Sequence, residues 1–136
     1  MIGLTFLRSA LPGAALAETV AFKADLKSSE EVPANDSKGT GTVTATYDTA
    51  SKKLTWKGNY SGLTGPATMA HFHGPAEPGK NAGVAVPITP SASPFENSAN
   101  LTDAQAADLM AGRWYVNVHT AAHPGGEIRG QLVKGM

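Results

Sequence analysis

The stretch that decides the fold runs from residue 42 to residue 60: Thr42-Val43-Thr44-Ala45-Thr46-Tyr47, then Asp48-Thr49-Ala50-Ser51-Lys52, then Lys53-Leu54-Thr55-Trp56-Lys57-Gly58-Asn59-Tyr60. Val43, Ala45 and Tyr47 alternate with threonines, and Leu54, Trp56 and Tyr60 alternate with Thr55, Lys57 and Asn59. A period of two puts one set of side chains on one face of a strand and the other set on the opposite face. Two such runs about a short polar turn predict an antiparallel hairpin with one face buried. The inward phase takes Trp56, and by the same parity Trp114, into the core.

The pattern extends outward in both directions. Val20, Phe22, Ala24 and Leu26 alternate with Lys23, Asp25 and Lys27 and predict a strand before the hairpin. After Gly62–Pro66 a strand is expected over 67–73. A short edge strand follows over 84–88, where Pro87 cannot donate to a ladder. Residues 91–100 read as irregular. Thr102-Asp103-Ala104-Gln105 matches a capping box and Gly112 a stop, which predicts one helix over 103–111. Trp114, Val116 and Val118 then alternate with Tyr115, Asn117 and His119, and Glu127–Val133 pairs back after Pro124-Gly125-Gly126. The expectation is an all-β, antiparallel Greek-key β-sandwich of seven to eight strands with one short helix.

Bulk properties narrow the function. The 136 residues suit one domain, and with 16% charged residues and a net charge of zero there is no basic surface for nucleic acid. There is no cysteine, hence no disulfide and no thiolate metal site. Residues 1–17 carry one basic residue, Arg8, no acidic one, and end in Ala15-Leu16-Ala17, a small-x-small pattern. They are expected to be a signal peptide, incomplete or irregular because Arg8 interrupts its apolar run, with the mature domain over 18–136. The destination would be periplasmic or secreted. No later apolar run approaches the roughly 20 residues of a membrane span.

All four histidines fall in two short segments, His71-Phe72-His73 and His119-Thr120-Ala121-Ala122-His123. Strand residues i and i+2 share a face, so the first pair can converge on one ion. A nitrogen-only set of His71, His73, His119 and His123 suits copper, with zinc as the alternative. Glu127 is expected to orient His119 or His123 from behind. Arg129, on the polar phase near the same turn, is a candidate for steering a small anion to a metal. The competing expectation is a metal-free structural or protein-interaction domain whose histidines only hydrogen-bond.

Five segments carry a resemblance: Glu31-Val32-Pro33, Tyr60-Ser61-Gly62-Leu63, His71-Phe72-His73-Gly74-Pro75-Ala76, Tyr115-Val116-Asn117-Val118-His119-Thr120 and the run from His123 to Leu132. In this order, across nearly all of the chain after residue 20, they resemble the CHRD (chordin-type) domain, which implies an exported β-sandwich and leaves the biochemical role open. A looser likeness is to copper–zinc superoxide dismutase. It implies His71, His73 and His119 as copper ligands, His123 as a fourth, Arg129 as anion guide and, if the protein is an enzyme, a copper-only dismutase-like oxidoreductase. The absence of cysteines and of a long zinc-binding loop departs from that pattern, and fold alone does not carry function.

Overall fold

A computed structural model describes residues 17–135; the expected leader, Ala17 apart, lies outside them. In chain order the elements are β1 (Thr19–Lys27), a 3₁₀ turn (Ser28–Glu30), β2 (Thr40–Asp48), β3 (Lys53–Ser61), β4 (Ala67–His73), β5 (Val84–Pro87), β6 (Phe95–Asn100), α1 (Asp103–Met110), β7 (Tyr115–Thr120), β8 (Ile128–Gln131) and β9 (Val133–Lys134). Among the described residues these form one nine-stranded sheet in the order β5-β4-β7-β8-β1-β2-β3-β6, with β9 also on β1. Every ladder is antiparallel. Strand β8 meets β1 through the single pair Lys27↔Arg129. There the sheet folds over into two layers, the sandwich the sequence predicts. No helix among the described residues is long and apolar enough to cross a membrane.

Side-chain size is complementary along the first layer. Phe22 lies opposite Ala45, which lies opposite Trp56, so one small residue separates two large ones. On the next inward rung Ala24, Val43, Gly58 and Phe95 follow in order. A β-carbon at Gly58 would stand 2.6 Å from Cζ of Phe95, so the glycine is the seat on which that ring rests. This contact explains the one strand missing from the sequence reading. Phe95-Glu96-Asn97-Ser98-Ala99-Asn100 has almost no β propensity of its own and reads as irregular. It pairs along β3 from Lys53 to Gly58 because the edge of β3 is open and Phe95 has a place to go. The ninth strand arises from a division: the expected strand over 127–133 separates into β8 on β7 and a two-residue β9 on β1.

The layers meet through aromatic rings. Phe72 of β4 is fully enclosed. It presses edge-on to Trp56 of β3, with centroids 5.1 Å apart, and lies 5.6 Å from Trp114. Helix α1 crosses between layers with the capping box in place: Gln105 N–H donates to Thr102 Oγ1, and Gln105 Oε1 accepts from Thr102 N–H. The Gln105 amide also donates to the Ala85 carbonyl, tying the helix to the β5 edge. Because Phe72 joins both layers, Phe72→Ala is expected to lower the unfolding free energy by about 3–5 kcal/mol in urea titrations, within the range for a buried ring lost from a close-packed core.

Candidate metal centre

Strands β4 and β7 are neighbours in the second layer, and their register builds the site. Between Met69 and His73 the pairing is regular: Met69↔His119, Ala70↔Val118, His71↔Asn117, Phe72↔Val116 and His73↔Tyr115. Ala70, Phe72, Val116 and Val118 go to the hydrophobic core. The alternate phase therefore carries Met69, His71 and His73 beside Tyr115, Asn117 and His119 on the other face. That face is not open to water on β7, where all six residues are buried. The 74–83 loop and the 121–127 turn make hydrogen bonds to its side chains.

One ring nitrogen from each of His71, His73 and His119 lies within 4.8 Å of the others. The hydrogen bonds identify which. His73 Nδ1 is 3.0 Å from the Ala82 carbonyl and His119 Nδ1 is 2.9 Å from the Pro124 carbonyl. A carbonyl only accepts, so each Nδ1 carries the proton and each Nε2 presents its lone pair. His71 Nδ1 faces His119 Nε2 at 3.1 Å. Two nitrogens about 2.0–2.1 Å from one ion stand roughly 2.9–3.4 Å apart at right-angled to tetrahedral geometry, so that pair is already at ligand spacing. The widest separation, up to 4.8 Å, exceeds the ~4.2 Å limit for two nitrogens on one ion, so all three share one ion only after a small movement of the rings. His73 Nε2 also lies 2.9 Å from Asn117 Oδ1. With its NH2 turned to the ring, the Asn117 amide donates to that lone pair.

Burial pushes His71 below its ordinary 6.5, and the neighbouring His119 and His73 add to the shift. Burial also lowers His73, outweighing its hydrogen bonds to Ala82 and Asn117. Both rings are thereby held neutral at neutral pH, the form a metal needs.

The other expected site residues stand elsewhere. His123 does not join the group: its ring borders a cavity of about 270 Å³ with Glu31, Pro33, Asn35 and Gly126. Its turn contributes the Pro124 carbonyl to His119 instead. Glu127 does not orient a histidine. It is fully buried, and its carboxylate accepts four hydrogen bonds, from Ser37 Oγ (2.6 Å), Thr64 N–H (2.9 Å), Thr64 Oγ1 (2.6 Å) and Thr120 Oγ1 (2.6 Å). Burial alone would raise its pKa, but these four donors outweigh it and bring it down to about 2. Backbone carbonyls do the orienting that Glu127 was expected to do.

Arg129 is not a surface guide. It is 1% exposed, with Nη1 donating to Asn81 Oδ1 (2.9 Å) and Nη2 to the Lys80 carbonyl (2.5 Å). Its guanidinium carbon lies 3.5 Å from the centre of the Tyr115 ring, and His73 stacks on that ring at 4.8 Å. An enclosed cation of this kind does not reach out to draw an anion from solvent; Arg129 instead clamps the 80–82 segment that carries the His73 acceptor. Sequence reasoning missed Tyr115, Asn117, Asn81 and Glu31 in this layer. The signal for the first two was their shared parity with His119. Burial raises the Glu31 carboxyl to about 7, against the pull of the Arg129 charge and an Asn117 hydrogen bond.

Fold and site together define a β-sandwich with a histidine cluster that can hold a metal ion. The chain belongs to the CHRD family: the CHRD domain model matches residues 22–132. No curated protein and no solved structure matches it.

The two carboxyls give opposite pH signatures. Glu31 titrates at about 7 in the fold against an ordinary 4.5. Its contribution is therefore complete below pH 4.5 and is lost as pH rises through 7. Glu31→Gln is expected to gain about 2–3 kcal/mol on the wild type between pH 5 and pH 8, read from paired denaturation curves. Glu127 is lowered from 4.5 to about 2, so its contribution is present above pH 4.5 and fades as pH falls to 2. Glu127→Ala is expected to cost about 2–4 kcal/mol at neutral pH, because four hydrogen bonds to a buried carboxylate are lost, and progressively less in acid.

Proposed function

We propose that this CHRD-domain protein binds a transition metal ion, copper before zinc, through His71 Nδ1, His73 Nε2 and His119 Nε2, and that it does so after export to the periplasm or the medium. The observation that carries this reading is the convergence of three imidazole nitrogens, two of them on rings whose other nitrogen is committed to a carbonyl. Nitrogen donors without thiolate suit Cu(II) and Zn(II), and affinity orders copper ahead of zinc. The export part of the reading is supported by the residue pattern of 1–17.

One-electron redox capacity is what copper would supply when bound. The chain's own residues hold and orient the donors. The Ala82 and Pro124 carbonyls fix two rings and their tautomers, and the Arg129–Tyr115 stack fixes the loop that provides Ala82. A dismutase-like role would need a cationic guide at the mouth of the site, and the enclosure of Arg129 withholds that support. Binding for storage, buffering or delivery is therefore the function proposed.

Protein loaded with Cu(II) and desalted at neutral pH is expected to retain about one ion per chain by elemental analysis, and the His71→Ala, His119→Ala double variant none. Metal at a hundredfold excess over Kd is expected to stabilise the fold by about 2.7 kcal/mol in thermal melts, reversed by chelator. Retention should fall as pH drops through the histidine range, because protons compete for the same nitrogens. Wild-type protein that keeps no metal and melts unchanged with it would favour a structural or protein-interaction domain instead.

A further inference from the structure

Four large apolar side chains among the described residues are conspicuously exposed: Val32, Met69, Val84 and Val133. Met69 differs from the others in where it stands. It is 49% exposed and occupies the same phase of β4 as His71 and His73, two and four residues before them. It is also the direct cross-strand partner of His119. Side chains at such a pair leave their strands on the same face, with β-carbons about 4.5–5.5 Å apart. Met69 therefore begins beside the fixed ring of His119, on the rung next to His71, at the end of the site that opens to solvent. His73, at the other end, is enclosed between Tyr115 and Ala82.

A thioether on three rotatable bonds is the most adaptable apolar side chain for this place, and it is also a soft donor. Leu, Ile or Val would cover the same surface without sulfur. Resting on the metal-binding reading given above, we infer that Met69 Sδ is a fourth, soft donor that closes the solvent side of the three-nitrogen set and makes the site selective for Cu(I). Imidazole serves cuprous, cupric and zinc ions alike, whereas a thioether adds affinity for cuprous copper and little for the harder ions. The rung order assigns the roles: His73 and His119 are held by carbonyls and preorganised, His71 bridges towards His119, and Met69 swings in from the exposed end.

The test titrates Cu(I), held reduced and buffered by a chromophoric chelator, into wild-type protein and Met69→Leu, with Zn(II) titrated in parallel. The Leu variant keeps volume and apolarity, and its metal-free melting temperature checks the fold. Loss of Met69 is expected to weaken Cu(I) by about tenfold or more and to change Zn(II) by less than about twofold. In the wild type, copper-edge X-ray absorption of the anaerobic Cu(I) form is expected to show a sulfur scatterer that is absent from Met69→Leu. Equal Cu(I) affinity in the two proteins, or a wild-type Cu(I) form without a sulfur scatterer, overturns the assignment of Met69 and leaves the histidine site standing. Wild-type protein that binds neither ion overturns both.

Discussion

The pairing of β4 with β7 is the constraint on which the rest depends. Two antiparallel strands in regular register must send alternate side chains to opposite faces, and here each face has a separate task. Ala70 and Phe72 with Val116 and Val118 contribute to the core that holds the two layers together. Met69, His71 and His73 with Tyr115, Asn117 and His119 make the polar layer on the other side. A slip of one residue would exchange the two sets, putting imidazoles into the core and Phe72 at the site. The hydrophobic fit of Phe72 against Trp56 and Trp114 thus also fixes where the imidazoles stand.

Around that pair the loops serve as a second wall. The 74–83 loop gives a carbonyl to His73, and the 121–127 turn gives one to His119. Asn81 donates to the Val32 carbonyl and accepts from Arg129, so three chain segments distant in sequence meet over β7 and β8. Arg129 is buried at small cost because its outer nitrogens find oxygen partners and its plane lies on Tyr115. Glu127 does comparable work at the end of the sandwich, where it gathers Ser37, Thr64 and Thr120.

Period-two alternation made most strands legible in the sequence, because it is a local property that the fold preserves. Thr102 and Gln105 made the helix legible for the same reason. Strand β6 was not legible, because the seat of Phe95 over Gly58 is a contact between residues 37 positions apart. For the site, the HxH spacing and the position of His119 at a strand end were enough to bring three histidines together on paper. His123, Glu127 and Arg129 were placed by nearness to the turn, and nearness in sequence says nothing about which way a turn residue faces. Carbonyl acceptors are invisible in a sequence, since every residue has one; that Ala82 and Pro124 orient the rings could be learned only from the folded chain.

Strand β7 has no exposed residue: all six are buried. One consequence concerns how this segment would tolerate change over evolutionary time. Along an ordinary half-exposed strand, every second position drifts freely and marks the outside of the molecule. Here Val116 and Val118 are held by volume, Thr120 by its bond to Glu127, and the odd positions by polarity and ring geometry, so no position is free to drift. A survey of variation would see a uniform block from Tyr115 to Thr120, in which the demands of folding and of chemistry are interleaved.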